Sequence, residues 1–351
     1  MKNKLISYYV AGNTAEGFVN FLPSNVSNFN HVILLNHPSQ TLKTHVLKSV
    51  ISKYEDKSQL EILLSPLGSE FLDGVIIRDK SIAIVVDTLS TNDLAGAIEM
   101  DLNLFSAEEI PENEKYVQTK AKFENETEKA YQNFETGLRI HDDLEEIYIN
   151  EMNVSRANEL AEEFIEELLQ GIPKIDREAK VYTRLFGTNT KNGVVNVVPD
   201  LLKNQSRNVF IKGRAGTGKS TFMKKIKDAC AKHGFDVELY HCSFDPNSVD
   251  MVLVRDLNFC IFDSTDPHEF FPERDGDETL DLYEELVTPG TDETYASEID
   301  HLNNSYKSYM KKGIVHLKEA GSYLEQLEQH YVFHEQEVER MAGFILDKIV
   351  Q

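Results

Sequence analysis

A glycine-rich segment between two apolar runs constrains the fold of this chain more than any other feature. Residues 213–221 read Gly-Arg-Ala-Gly-Thr-Gly-Lys-Ser-Thr and match the pattern G-x-x-x-x-G-K-[ST] in full. Residues 208–211 are typical of a strand, and residues 222–226 of an amphipathic helix. A strand, a phosphate loop and a helix in this order predict a nucleotide site. Its expected residues are Gly213, Arg214, Ala215, Gly216, Thr217, Gly218, Lys219, Ser220 and Thr221.

The residue types in this loop suit phosphate for physical reasons. Glycines adopt positive φ and bring successive N–H groups close to phosphate oxygens, and the following helix adds its positive N-terminal end. Lys219 is expected to reach the β and γ phosphates, and Ser220 to ligate Mg²⁺. No Asn-Lys-x-Asp guanine motif occurs, so ATP with Mg²⁺ is the expected ligand. The alternative is a glycine-rich turn that binds nothing.

The first half of the chain repeats the second at a constant offset of 176 residues, the separation of Lys43 from Lys219. The residues that recur in this register are Asn13, Thr14, Gly17, Val19, Asn20, Pro23 and Lys43 in the first half, and Asn189, Thr190, Gly193, Val195, Asn196, Pro199 and Lys219 in the second. With one-residue gaps, Asp73 and Asp87 match Asp250 and Asp263. The sequence therefore predicts a tandem duplication.

The first copy has lost the glycines of the loop. Residues 37–44 read His-Pro-Ser-Gln-Thr-Leu-Lys-Thr, with His37, Gln40 and Leu42 at the glycine positions. Each of these side chains carries a Cβ where the backbone must approach phosphate, so the first half is expected to be a degenerate copy although Lys43 and Thr44 remain. A second interpretation makes Lys43 an ordinary surface lysine in an unrelated loop.

The fold expected from these patterns is α/β, with tandem duplicated P-loop NTPase domains. The degenerate domain is predicted over residues 1–172 and the intact domain over 173–351, since a glycine and a proline interrupt the chain at residues 171–173. Charged, helix-favouring sequence closes each copy, at residues 112–170 and 292–349. Its apolar residues recur three and four apart, which predicts a long helical hairpin packed on the α/β core of its own copy.

Composition restricts the partners and the compartment. The formal charge of −23 disfavours nucleic-acid binding because an acidic surface repels phosphate backbones. No apolar run reaches the roughly 20 residues of a membrane span, and the start of the sequence has no signal-peptide core, so a cytoplasmic protein is expected. Acidic runs such as residues 142–146 are typical of solvated helix faces.

Three polar residues outside the loop are candidates for chemistry. Asp263 ends the apolar run 259–262, where an aspartate holds Mg²⁺ in many P-loop proteins; the other interpretation is a strand-capping aspartate. Asp245 and His268 occur only beside the intact loop and are candidates to orient water or a phosphate acceptor, although both residue types are also common in turns. Ser264 follows Asp263 in place of glutamate, which leaves the base for water attack unassigned.

These motifs resemble an uncharacterised group of bacterial P-loop proteins that carry the generic name ATPase. The resemblance spans almost the whole chain and rests on Gly12-Asn13-Thr14, Asn189-Thr190 with Gly193, the loop itself, His241-Cys242-Ser243, and Asp263, Thr265, Pro267 and His268. It implies ATP binding and no particular substrate. In that group the first half also has an intact phosphate loop, and this chain departs from the pattern there.

The leading functional hypothesis is a slow Mg²⁺-dependent ATPase that uses hydrolysis as a conformational switch. The alternatives are a small-molecule kinase that transfers the γ-phosphate, and a regulatory or scaffold protein that senses ATP without hydrolysing it. The halves are expected to form an intramolecular pseudo-dimer, since duplicated domains of this type can derive from symmetric dimers. A first-half cation, Arg78 or Arg139, is then a candidate to complete the second-half site.

Overall fold

The computed structural model describes residues 5–94, 96–105 and 113–349, so residue 112 of the predicted helical region lies outside it. The first-half strands are β1 (Leu5–Tyr8), β2 (Ala11–Thr14), β3 (Gly17–Asn20), β4 (His31–Asn36), β5 (Leu60–Leu64), β6 (Leu72–Ile77), β7 (Ile82–Val86) and β8 (Ile98–Asp101). The helices are α1 (Leu22–Val26), α2 (Gln40–Tyr54), α3 (Glu114–Asn150) and α4 (Val154–Leu169).

The second half contains a matching series of elements. Its strands are β9 (Val181–Leu185), β10 (Gly187–Thr190), β11 (Gly193–Asn196), β12 (Arg207–Lys212), β13 (Val237–His241), β14 (Val249–Val254), β15 (Phe259–Asp263) and β16 (Asp277–Asp281). Its helices are α5 (Val198–Leu202), α6 (Lys219–Lys232), α7 (Leu282–Leu286), α8 (Thr291–Thr294), α9 (Ala296–Glu328) and α10 (Glu335–Ile349).

Two six-stranded sheets with the same strand order form the centre of the protein. The first runs β1-β5-β6-β7-β4-β8 and the second β9-β13-β14-β15-β12-β16. Each is mixed, because its third strand, β6 or β14, runs antiparallel to both neighbours and the other pairs are parallel. The strands β7 and β15 are buried at every residue, as expected of central strands. The α/β prediction is confirmed at this level, and the repeated order fits a tandem duplication.

The two halves contact each other through equivalent residues. The Asn13 side-chain amide donates to the Asn189 carbonyl oxygen at 2.8 Å, and the Asn189 side-chain amide donates to the Asn13 carbonyl oxygen at 2.9 Å. The backbones of Tyr9 and Leu185 exchange two more hydrogen bonds, of 3.0 and 2.9 Å. Reciprocal contacts of this kind are typical of a twofold interface. The hairpins β2–β3 and β10–β11 lie at this contact.

A buried ionic cluster joins the two sheets at the same contact. The guanidinium of Arg184 lies 2.9 Å from the carboxylate of Glu61 in the first sheet and 2.9 Å from that of Glu238 in the second. Arg78 pairs with Glu61, and Arg255 with Glu238. Burial opposes ionisation of Glu238, but the two arginines outweigh it and lower its pKa to about 2. Removing one partner leaves buried charge unpaired, so the cluster ties the halves together.

The long helices α3 and α9 pack against each other in antiparallel orientation. Phe134 of α3 lies over Gly313 of α9, where an added Cβ would approach the ring to 2.2 Å. At the matching position, Gly137 of α3 faces Met310, and the nearest side-chain atom to an added Cβ is 3.5 Å away, in Tyr309. The α3–α9 pair is therefore a second contact between the halves.

No helix within the described ranges combines the length and apolar composition of a membrane span.

The predicted packing of a helical hairpin on its own α/β core is wrong. The shorter helix of the first half, α4, packs on α6 and α7 of the second half, and α10 packs on α2 of the first half. The α10 residues Val338, Met341, Ala342 and Ile345 are buried in the core together with residues of α2. The amphipathic pattern identified the buried faces correctly, but periodicity carries no information about which partner covers a face. Each half thus contributes helices to the other.

Candidate functional site

The glycine loop lies at the carboxyl edge of the second sheet. It joins β12 to α6, and Ile211 of β12 stands opposite Asp263 of β15 in the parallel register. Gly216 and Gly218 have φ of 74° and 81°, which disfavour any other residue. An added Cβ at Gly216 would lie 2.3 Å from the carbonyl oxygen of Glu145. The loop conformation therefore depends on its glycines, as the motif predicted.

A cleft of about 1440 Å³ opens over this loop. It is bounded by all nine residues 213–221, by the segments after β13 and β15, and by parts of α3 and α9. Every residue singled out as a candidate from the sequence lines it: Asp245, Asp263 and His268 as well as the loop. The structure therefore brings the predicted site residues together in one place.

Lys219, Ser220 and Asp263 all line the cleft. The Lys219 ammonium lies 3.6 Å from an Asp263 carboxylate oxygen and donates to the Arg214 carbonyl at 2.6 Å. The Ser220 hydroxyl oxygen accepts from the Val249 N–H at 2.9 Å and retains a second lone pair. Oxygen ligands from a hydroxyl and a carboxylate suit a hard cation such as Mg²⁺.

Asp245 and His268 line the same cleft, from the segments after β13 and β15. Asp245 accepts a hydrogen bond of 2.9 Å from the backbone of Asn247, the contact expected of a turn aspartate. His268 is buried, and its Nε2 has no hydrogen-bond partner among the described residues, although it lies 3.8 Å from a carboxylate oxygen of Asp250. An unpaired buried ring nitrogen beside a cleft can bind a ligand group.

Asp250 is a member of the site that the sequence did not indicate. It lines the cleft from β14, is buried, and has a pKa raised to about 6 by burial, with His268 partly opposing the shift. It recurs as Asp73 in the first copy, where burial raises the pKa to about 7. Unlike Asp245 and His268, Asp250 has a counterpart in the first copy, so the comparison of the copies does not single it out.

The first half supplies a set of acidic and imidazole groups to the second-half cleft. His141, Asp142 and Glu145 of α3 line it, with ligand atoms within 4.8 Å of one another. Burial lowers the pKa of His141 and raises that of Glu145. The interpretation of the acidic run 142–146 as a solvated face holds for Asp142, Asp143 and Glu146, which are exposed, and fails only for the half-buried Glu145. Sequence periodicity could not show that a distant loop packs against it.

The predicted trans-acting arginines are not at this site. Arg78 is engaged with Glu61 in the ionic cluster between the sheets. Arg139 is exposed and pairs with Glu135, one turn earlier on the same helix. Neither belongs to the described residues that line the cleft. Helix α3 does cross from the first half to the second-half loop, but at the loop it presents carboxylates and an imidazole.

The first-half loop, residues 37–44, differs from the second, because helix α2 already begins at Gln40 whereas α6 begins at Lys219, the counterpart of Lys43. Lys43 is 1% exposed and pairs with Asp87, the counterpart of the Lys219–Asp263 pair. The surface-lysine interpretation is therefore wrong. The Glu328 carboxylate, from the end of α9, accepts hydrogen bonds from the Gln40 and Thr41 N–H groups at 2.8 and 3.1 Å.

In comparisons with known proteins, no protein-family model, curated protein or solved structure gives a significant match to this chain. The assignment of chemistry to the cleft therefore depends on its own geometry. That geometry consists of a glycine loop at a helix N-terminus, a lysine at the start of α6 beside an aspartate at the end of β15, and a cleft large enough for a nucleotide.

Proposed function

We propose that this chain is a tandem duplicated P-loop NTPase whose second half binds ATP with Mg²⁺ and hydrolyses it slowly in the cytoplasm. The observation that carries the proposal is the placement of Lys219 and Asp263, 3.6 Å apart, beside the glycine loop at the carboxyl edge of β12 and β15. Ligands of open α/β sheets bind at such edges. The two similar sheets and their reciprocal contacts support a pseudo-dimer that arose by duplication.

Each group of the cleft has a role in this proposal. The loop N–H groups and the N-terminus of α6 bind phosphate oxygens, and Lys219 exchanges the Arg214 carbonyl for the β and γ phosphates. Ser220 and Asp263 would hold Mg²⁺, which would supply positive charge to neutralise charge developing on the phosphates. Asp245, Asp250 and His268 are the groups available to orient the attacking water.

A switch function fits the contacts between the loop and α3. The carbonyl of Glu145 packs against Gly216 so closely that no side chain fits there. Helix α3 in turn packs along α9, and Glu328, the last residue of α9, accepts a hydrogen bond from the first-half loop. A change at the second-half loop on binding or hydrolysis therefore reaches both halves through packed elements.

One observation favours a small-molecule kinase as the second candidate. The cleft volume of about 1440 Å³ exceeds the roughly 300–1,000 Å³ of ordinary small-molecule sites. Its far wall, from α9, carries Tyr306, Lys307 and Met310. An acceptor bound there would face His268, whose Nε2 has no hydrogen-bond partner among the described residues.

The test is a nucleotide titration by thermal shift with a phosphate-release assay on the same sample. ATP with Mg²⁺ should raise the melting temperature and release phosphate slowly without a second substrate. Phosphate transfer that requires an added metabolite would favour the kinase, and binding without turnover would favour a sensor. An unchanged melting temperature at millimolar ATP would contradict nucleotide binding altogether.

A further inference from the structure

The two matching lysine–aspartate pairs of the chain differ in length. In the first half, the Lys43 ammonium contacts a carboxylate oxygen of Asp87 at 2.5 Å. In the second half, the Lys219 ammonium lies 3.6 Å from Asp263, beyond hydrogen-bond distance, and donates to the Arg214 carbonyl oxygen instead. The intact loop therefore keeps its lysine and aspartate apart, whereas the pair in the degenerate copy is closed.

Burial does not explain this difference. The side chain of Asp263, in the longer pair, is 12% exposed, whereas that of Asp87 is 34% exposed. Both lysine side chains are nearly buried. Opposite charges attract each other more strongly where less water surrounds them, so the better buried aspartate has no electrostatic reason to stay farther from its lysine. A specific contact to Asp263 is needed to account for the gap.

The hydroxyl of Thr265 makes such a contact. It donates to Oδ1 of Asp263 at 2.7 Å, and Oδ2 of the same carboxylate is the oxygen that lies 3.6 Å from Lys219. The hydrogen bond restricts rotation of the carboxylate and uses a lone pair of one oxygen. In the first copy, the residue two positions after Asp87 is Leu89, which is fully buried and has no hydroxyl. A hydroxyl at this position thus occurs only beside the intact loop.

The segment that carries Thr265 is itself held on both sides. The carbonyl oxygen of Ser264 accepts from the Lys212 ammonium at 2.7 Å, and Asp266 pairs with Lys307 of α9 at 2.8 Å. Thr265 lines the cleft between these two anchors. A side chain that orients another group needs a backbone fixed in this way.

We propose that Thr265 is a positioning residue for Asp263: its hydroxyl holds the carboxylate apart from Lys219, which leaves the ammonium for phosphate and a carboxylate oxygen for Mg²⁺. This inference rests on the proposed function and adds a residue to it. Without the hydroxyl, the carboxylate can turn and close on Lys219, as Asp87 has closed on Lys43. The closed pair would have to separate before nucleotide and metal could bind, so affinity for both should fall.

Isothermal titration of the full chain with ATP, with and without Mg²⁺, tests this inference. Thr265→Val keeps the shape but removes the hydroxyl, and it should reduce the gain in ATP affinity that Mg²⁺ provides by about tenfold. Thr265→Ala, a second variant without the hydroxyl, should show the same loss. Thr265→Ser retains the hydroxyl and should remain within about threefold of the wild type. Thr88→Val makes the same chemical change at an exposed threonine beside Asp87 and should have no effect.

A double-mutant cycle shows whether Thr265 acts through Asp263. In an Asp263→Asn background, Thr265→Val should change the Mg²⁺ dependence of ATP affinity by less than about twofold, because the carboxylate that the hydroxyl holds has been removed. Phosphate release by the same variants should follow the same non-additive pattern. Thermal denaturation of each variant without nucleotide checks that the loss is not a folding defect.

Three results would overturn the positioning role alone. The first is wild-type Mg²⁺ dependence in both variants that lack the hydroxyl, and the second is an equal loss in Thr265→Ser, which would show that any change of the side chain disturbs the segment. The third is a loss that multiplies independently with that of Asp263→Asn. Absence of ATP binding by the wild type would overturn the proposed function together with this inference.

Discussion

The two phosphate-loop positions share an ion pair but differ in access. Lys43 and Asp87 in the first half correspond to Lys219 and Asp263 in the second, and both lysines contact their aspartates. Lys43 is 1% exposed, whereas the side chain of Lys219 is 11% exposed in an open cleft. The lysine–aspartate pair thus belongs to the fold of both copies and does not by itself mark a nucleotide site. What separates a site from a filled copy is the glycines and the space above them.

The largest expected effect concerns the two lysines. Lys219→Ala should weaken MgATP binding by at least about 100-fold, because the ammonium is the cation aimed at the phosphates. Lys43→Ala should leave affinity and a stoichiometry of one nucleotide per chain unchanged. It should lower the free energy of unfolding by roughly 1–3 kcal/mol, since Asp87 loses its partner.

Calorimetry measures both quantities for the lysine variants. Two nucleotides per chain, or a stronger loss of binding in Lys43→Ala than in Lys219→Ala, would contradict the asymmetry between the halves. Chemical denaturation of the same samples checks that the affinity difference is not a folding defect.

The matched aspartates separate turnover from binding. Asp263→Asn should reduce phosphate release by about 100-fold while nucleotide affinity changes only several-fold, as expected for a group that orders the metal in the transition state. Asp87→Asn, its counterpart, should not affect turnover. Steady-state phosphate release and equilibrium binding on each variant give the comparison; hydrolysis by Asp263→Asn at the wild-type rate would remove the metal role.

The buried aspartates Asp73 and Asp250 predict a pH dependence of stability in both halves. Burial raises their pKa from 3.8 to about 7 and about 6, so the folded state resists their ionisation. The loss of folding free energy that this causes is absent below about pH 3.8, grows as the pH rises from there to the folded pKa of each group, and is complete above that pKa. Asp73→Asn should therefore stabilise the protein at pH 8 by up to about 4 kcal/mol and Asp250→Asn by up to about 3 kcal/mol.

Urea denaturation at pH 5 and pH 8 measures this difference. The gain should shrink at pH 5 for both variants, since part of the ionisation cost is then already relieved in the wild type. A gain of equal size at both pH values would show that the asparagine acts by packing and not by charge.

The smallest expected effect is at the two glycines of the α3–α9 contact. Gly313→Ala should cost roughly 1–3 kcal/mol, because its Cβ would meet the Phe134 ring at 2.2 Å. Gly137→Ala meets only ordinary contacts, from 3.5 Å outward, and should be neutral or stabilising by up to about 1 kcal/mol through helix propensity. Equal losses in thermal denaturation would show that the two helices are packed more symmetrically than these distances indicate.

Local patterns predicted the parts of the molecule that depend on local chemistry. The glycine motif predicted the loop, the end of an apolar run predicted Asp263, and the comparison of the copies predicted Asp245 and His268. All of these residues line one cleft. The partners of the helices could not be predicted, because an amphipathic face shows that it is buried and not against what. For the same reason Glu145 and Glu328 were missed: each contacts a loop more than 70 residues away in sequence.

The placement of α10 has a consequence for synthesis of the chain. All strands of the first sheet have been made once residue 101 leaves the ribosome, but the helix that covers α2 is formed by residues 335–349. A nascent first half therefore leaves the side of α2 that α10 covers exposed while more than 200 further residues are translated. At roughly 5–20 residues per second, that exposure lasts on the order of ten seconds or more. The first half thus cannot complete its packing until residues 335–349 have been made, after every strand of the second sheet.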